Sequence, residues 1–211
     1  MRALELVGFR PEHWHYDYPE CYAEFNDKLK EIAISQGKPN SILLGGIVGT
    51  GKTAMMAILC RSIFEALMKA AIASGREAIR IEPENYGTEN VYPHYFAKRV
   101  KYCTHSELAN IWSNEFNDAS ELPSEDYFKK APVLFLDDLF SAPVNLSGRN
   151  TAKLEELIDW RWSNHLKTFI ATNISLKDIW KNKQYQRIAR RLSEKDWIFY
   201  QKLTHKFGGK R

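Results

Sequence analysis

The stretch that decides the fold is residues 46–53, which read Gly-Ile-Val-Gly-Thr-Gly-Lys-Thr. It matches the pattern GxxxxGK[ST], it follows the apolar run at 42–44, and it precedes a helical pattern that begins at Ala54. Glycines let successive backbone N–H groups surround phosphate oxygens, and the start of a helix adds partial positive charge. The sequence therefore predicts a nucleotide, ATP or GTP, held between a strand and a helix.

Individual residues of this loop have separate predicted roles. We expect Lys52 to reach the β- and γ-phosphates and the Thr53 hydroxyl to ligate Mg²⁺. The residues predicted to line the nucleotide are Gly46, Val48, Gly49, Thr50, Gly51, Lys52, Thr53 and Ala54.

Composition limits the class of protein. The 211 residues suit one α/β domain, and the 44% hydrophobic content supports a core. A net charge of +4 permits contact with nucleic acid without requiring it. The three cysteines are scattered and fit no metal spacing, which favours the cytoplasm. The apolar stretch 54–73 is interrupted by Arg61, Glu65 and Lys69, so we expect an amphipathic helix and no membrane span.

Strand and helix patterns alternate along the chain. Strands are predicted at 41–44, 78–81, 100–102, 133–136, 169–171 and 197–200, with helical patterns between most of them. This alternation predicts an α/β fold, a parallel sheet sandwiched by helices. We divide the chain into an N-terminal aromatic segment and helix (1–40), a core (41–205) and a basic tail (206–211).

Two further strands end in polar residues. Asp137 and Asp138 follow the buried run 133–136, where Asp137 is placed to bind Mg²⁺ and Asp138 to orient or deprotonate an attacking water. Asn173 follows the next apolar strand and could bridge that water and the γ-phosphate. Arg187 and Arg191 lie on one face of a later helix, where an arginine could reach a γ-phosphate in a neighbouring subunit. The alternatives are a solvated basic face and a nucleic-acid contact.

Three segments together resemble the AAA+ ATPases of the helicase-loader branch, which includes DnaC- and DnaI-type loaders, their phage counterparts and IstB-type transposition ATPases. They are residues 43–53, residues 133–139, and residues 159–175, where an Arg-aromatic pair leads into a strand ending Thr-Asn. The resemblance implies that Lys52 and Thr53 are Walker A and that Asp137 and Asp138 are Walker B. It also implies that Asn173 is sensor 1 and that Arg191 is the arginine finger.

The chain departs from the family pattern in three ways. Asp138 stands where many AAA+ enzymes have Glu, which is expected to slow hydrolysis. The sequence ends soon after Tyr200, so the helical lid domain is expected to be reduced or absent. Only about forty residues precede the first core strand, which leaves little room for a separate helicase-binding domain.

The resemblance implies an ATP-hydrolysing replication factor that forms a homo-oligomer with ATP and acts on a replicative helicase or another replication protein. Alternatives are an IstB-like transposition ATPase, a small-molecule phosphotransferase and a non-hydrolysing ATP switch. Single-stranded DNA is a candidate partner. Its candidate contacts are Lys98, Arg99 and Lys101, or Lys206, Lys210 and Arg211 in the tail.

Overall fold

A computed structural model describes residues 5, 7–10, 23–73, 96–114, 125–140 and 148–204. The predicted strand at 78–81, the aromatic residues at 14–16 and the basic tail at 206–211 lie outside these ranges. In the described part of the chain, no helix is long and apolar enough to cross a membrane.

The strands and helices alternate as the sequence predicts. The strands are β1 (Ser41–Gly45), β2 (Val100–Thr104), β3 (Val133–Leu139), β4 (Lys167–Thr172) and β5 (Ile198–Lys202). The helices are α1 (Ala23–Ile34), α2 (Lys52–Ala73), α3 (His105–Asn114), α4 (Glu125–Lys129), α5 (Gly148–Ser163), α6 (Leu176–Lys181) and α7 (Gln186–Leu192), with a 3₁₀ turn at Lys183–Tyr185.

The five strands form one parallel sheet in the order β2-β3-β4-β1-β5. This arrangement confirms the predicted α/β class. Strand β4 lies between β1, which leads into the phosphate loop, and β3, which carries the two aspartates. Because all strands run in the same direction, their carboxyl ends meet at one edge, where open α/β sheets bind ligands.

Both faces of the sheet are covered by apolar clusters. In β1, Ile42 and Leu44 belong to the cluster that includes α1 and α2, whereas Leu43 belongs to the cluster that includes α3 and α5. Successive side chains of a strand point to opposite faces, so an unbroken apolar run is what a strand covered on both sides needs.

Helix α1 is joined to the sheet by the half-buried ammonium group of Lys167. Lys167, at the start of β4, donates from Nζ to the carbonyl oxygens of Ile32 (3.1 Å), Ala33 (2.7 Å) and Ser35 (2.7 Å). These carbonyls lie at the end of α1, where helical backbone acceptors lack partners and cations are favoured. The N-terminal helix thus packs on the same core as the strands.

The Arg-aromatic pair at the end of α5 has a structural role. Arg161 is fully buried and donates to the Thr168 hydroxyl and to carbonyl oxygens of residues 128, 129, 131 and 167, at 2.7 to 3.1 Å. Burial lowers the pKa of the Arg161 guanidinium to about 9. Its hydrogen bonds connect α5 to the segments that enter β3 and β4, and so fix the strands whose far ends carry Asp137 and Asn173.

Candidate nucleotide-binding site

The phosphate loop has the backbone that its glycines allow. Gly49 and Gly51 have φ angles of 83° and 79°, which side-chain-bearing residues rarely adopt. A Cβ on Gly46 would lie 2.5 Å from the carbonyl oxygen of Leu203 and 2.8 Å from Oγ1 of Thr50. Helix α2 begins at Lys52, within the last two residues of the loop motif, so its N-terminal N–H groups face the same space.

Lys52 is folded into the loop. Its Nζ donates to the carbonyl oxygens of Gly46 (2.9 Å) and Ile47 (3.0 Å), and the residue is 6% exposed. An ammonium has three protons, so one remains for a phosphate oxygen. Burial lowers the pKa of Lys52, while the nearby carboxylates of Asp138 and Asp137 raise it. The other residues predicted to line the nucleotide differ in solvent exposure. Thr50 and Ala54 are buried, Thr53 is half-buried, and Val48 is 77% exposed.

Asp137 joins the phosphate loop to the neighbouring strands. Its Oδ2 accepts from the hydroxyls of Thr53 (2.7 Å) and Tyr102 (3.0 Å), and its Oδ1 accepts from the backbone N–H of Asp138 (2.8 Å). Burial raises the pKa of this carboxyl, and the hydrogen bond from Thr53 opposes that shift. The structure thus brings together the two residues predicted to bind the metal.

These residues fit Mg²⁺. Thr53 Oγ1 and Asp137 Oδ2 are 2.7 Å apart, and both are hard oxygen donors. Within the described ranges, no group of three or more His, Cys, Asp and Glu residues could hold a metal. A metal here would therefore take its other ligands from phosphates and water, which is the usual habit of Mg²⁺ and a poor match for Zn²⁺.

Asp138 and Asn173 lie side by side at the same edge. The register between β3 and β4 shifts between Leu136 and Leu139, and Asp138 is exposed with a φ of 54°. This left-handed conformation favours Asp and Asn over longer side chains, which gives a physical reason for Asp in place of Glu. Asn173 Nδ2 lies 3.4 Å from Asp138 Oδ1, and its own Oδ1 is buried without a partner in the part of the chain described.

The geometry at this pair suits a water molecule. Asp138 offers a carboxylate that can accept a proton, and Asn173 offers an unsatisfied oxygen that can accept a hydrogen bond. Buried polar atoms are rarely left unpaired, so the Asn173 oxygen indicates a polar group that completes the site.

Arg191 makes its contacts away from this network. Its Nε donates to Oδ1 of Asp159 at 2.5 Å, and its guanidinium carbon lies 3.7 Å from the ring centroid of Trp162. Its side chain is 22% exposed, compared with 82% for Arg187, which lies 3.8 Å from Glu155. Arg190 is exposed. Helix α7 therefore has two outward-facing arginines and one that is held against α5.

Two features of the site escaped the sequence argument. Tyr102 donates a hydrogen bond to Asp137, and this contact exists because β2 pairs with β3. A tyrosine within a strand pattern does not indicate such a contact in the sequence. Lys101, a candidate DNA contact, is 7% exposed, donates to the carbonyl oxygen of Ala97 and lies 3.9 Å from the Tyr127 ring centroid. Its ammonium is thus occupied within the chain, whereas Lys98 and Arg99 are exposed.

Comparison with known proteins supports this fold. No family model matches the sequence, and no curated protein matches it. Among solved structures, the chain is similar to the DnaC helicase loader, with 14% identity, a TM-score of 0.61, and coverage of 90% of this chain and 99% of that one. It is also similar to DnaI, with 16% identity, a TM-score of 0.59, and coverage of 94% and 96%.

A third similar structure is AMPPCP-bound DnaA from Aquifex aeolicus, with 15% identity, a TM-score of 0.57 and coverage of 93% of this chain. This chain spans about half of that DnaA, 51% of its length. At such identities the likeness shows the fold alone. It confirms the expected resemblance to AAA+ ATPases of the helicase-loader branch at the level of the fold.

Proposed function

We propose that this protein is a Mg²⁺-dependent AAA+ ATPase that acts in DNA replication as a helicase loader or loader-like factor. The observation that carries the proposal is the chain of hydrogen bonds from Thr53 through Asp137 and Asp138 to Asn173. This chain lies next to a glycine-rich phosphate loop. The likeness to DnaC and DnaI supports the replication role.

The proposed hydrolysis divides the work among the residues at the sheet edge. Backbone N–H groups of 46–54 and the Lys52 ammonium hold the β- and γ-phosphates, while Thr53 and Asp137 hold Mg²⁺. Bound Mg²⁺ neutralises phosphate charge. Asp138 accepts the proton of the attacking water as that water's oxygen bonds to the γ-phosphorus and the bond to the bridging oxygen breaks. Asn173 orients the water through its side-chain amide.

Arg191 completes the site from a neighbouring protomer in this proposal. ATP lies between protomers of a homo-oligomer, and the guanidinium stabilises the charge that develops on the transferred phosphoryl group. In the described part of the chain its two terminal nitrogens make no hydrogen bond, so they are available once α7 meets a partner. Binding of ATP would then set the assembly, and hydrolysis would release the helicase or single-stranded DNA.

A second candidate is an ATP switch that hydrolyses slowly or not at all. The specific observation that favours it is the ion pair of Arg191 with Asp159, which keeps the charge that would drive hydrolysis inside its own chain.

One experiment separates these functions. Mass is measured by size-exclusion chromatography with light scattering, with and without Mg·ATP, single-stranded DNA and a replicative helicase, alongside phosphate release. The proposal predicts ATP-dependent assembly, helicase association and turnover that DNA or helicase stimulates. Assembly without turnover would support the switch. A protein that stays monomeric and releases no phosphate in every condition would contradict both the ATPase and the switch.

A further inference from the structure

Strand β2 places an aromatic hydroxyl on the metal-binding carboxylate. Tyr102 pairs with Phe135 in the neighbouring strand, and Asp137 lies two residues further along the same face of β3. The tyrosine side chain extends along the sheet, and its hydroxyl oxygen is 3.0 Å from Oδ2 of Asp137. None of the phosphate-loop, aspartate or Thr-Asn motifs includes this residue.

The ring of Tyr102 is held by aromatic packing. The Phe9 ring lies 4.1 Å from it between centroids, and Phe9 also meets Phe135 edge-to-face at 5.6 Å. Phe9 is 2% exposed, so its ring is a buried wall behind Tyr102. The hydroxyl is therefore aimed by the core and does not depend on the phosphate loop.

Oδ2 of Asp137 has a second donor that differs in kind. The Thr53 hydroxyl also donates to this oxygen, but in the proposed function the oxygen of Thr53 is itself a metal ligand. The Asp138 N–H donates to the other oxygen, Oδ1, so Tyr102 would be the remaining donor to Oδ2 when the Thr53 hydroxyl turned to the metal. Groups that hold a metal ligand from behind are known to set its geometry and affinity.

We propose that Tyr102 is a positioning residue that holds the Asp137 carboxylate in the orientation required for Mg²⁺, whether or not Thr53 donates to it. This inference rests on the proposed nucleotide site and adds a role for the chain's own β2. It requires that loss of the Tyr102 hydroxyl weaken Mg²⁺ binding and leave the metal-independent affinity of the loop for the phosphates unchanged.

The test is the Mg²⁺ dependence of nucleotide binding by the full chain, with Tyr102→Phe compared with the natural sequence. Phenylalanine keeps the ring against Phe9 and removes only the hydroxyl. Affinity for a fluorescent ADP analogue is measured in EDTA and across a Mg²⁺ titration, and bound Mn²⁺ is counted by its EPR signal. Tyr127→Phe is the matched control, because Tyr127 is 42% exposed on α4 and the described donors to Asp137 are Thr53, Tyr102 and the Asp138 N–H.

For Tyr102→Phe we expect the same affinity for the ADP analogue in EDTA as in the natural protein. The Mg²⁺ concentration at which that affinity is half-maximally increased should be about tenfold higher, and bound Mn²⁺ should fall to match. Tyr127→Phe should match the natural protein in all three. A Tyr102→Phe protein with an unaltered Mg²⁺ response, or one that loses affinity equally in EDTA, would overturn the positioning role while leaving the nucleotide site standing. A natural protein that binds no nucleotide would overturn the proposed function itself.

Discussion

The carboxyl edge of β1, β3 and β4 contrasts with helix α7, although the sequence assigns both to one reaction. At the edge, residues from three parts of the chain are already connected by hydrogen bonds, from Thr53 through Asp137 and Asp138 to Asn173. On α7, the Arg191 side chain contacts Asp159 and Trp162 of α5 among the residues that the structure describes. Under the proposed function, one chain would carry the parts that bind the nucleotide, and the arginine that completes the site would come from a rearranged or neighbouring helix.

The largest effect that sharpens this comparison is expected at Asp138. Asp138→Asn keeps the side-chain shape and suits the φ of 54°, but it removes the carboxylate that accepts the proton. We expect ATP affinity to persist and turnover to fall on the order of a hundredfold or more. Phosphate release and isothermal titration measure the two quantities, with the exposed Asp196→Asn as control. Turnover at the natural rate would remove Asp138 from the mechanism.

Lys52→Ala should weaken nucleotide binding at the carboxyl edge of the sheet. The change deletes the one ammonium that the loop offers to the β- and γ-phosphates, so we expect at least about a tenfold loss of ATP affinity. Isothermal titration measures this loss, and Lys195→Ala, an exposed lysine, controls for net charge. An unchanged affinity in a folded Lys52→Ala protein would mean that the loop does not hold the phosphates.

The smallest effect is expected at the ion pair that holds Arg191. Asp159→Asn breaks a half-exposed pair, so the free energy of unfolding should change by less than about 1 kcal/mol. Because the arginine is then released toward a neighbour, ATP-dependent assembly should need less protein. Urea unfolding and light scattering measure both. Glu155→Gln is the matched control on the same helix, since Glu155 pairs only loosely with Arg187 at 3.8 Å. Weaker assembly in Asp159→Asn would mean that the pair supports the interface.

Local sequence patterns predicted most of the strands that end at the candidate site, because each of them is an apolar run followed by a polar residue. The runs at 41–44, 133–136 and 169–171 became β1, β3 and β4, and their ends meet because the sheet is parallel. The roles of Lys52, Thr53, Asp137, Asp138 and Asn173 remain predictions that this arrangement supports.

Lateral contacts could not be predicted in the same way. The Tyr102 hydroxyl reaches Asp137 across a strand pairing that no periodicity reveals, and Arg191 meets a carboxylate 32 residues away. Lys101 reads as an exposed cation but is buried over the Tyr127 ring. The left-handed turn at Asp138 depends on a register shift between β3 and β4, which is a property of the assembled sheet.

In the proposed function the carboxyl edge of one protomer meets Arg191 of another, and subunit mixing tests this most directly. Arg191→Ala and Lys52→Ala proteins are each assayed alone and then combined, with Arg187→Ala and Arg190→Ala as controls on the same helix. The account predicts that Arg191→Ala binds ATP yet is inactive, and that the mixture recovers part of the natural turnover, because some interfaces then join an intact loop to an intact arginine. Natural turnover in Arg191→Ala alone, or a mixture that assembles but stays inactive, would contradict it.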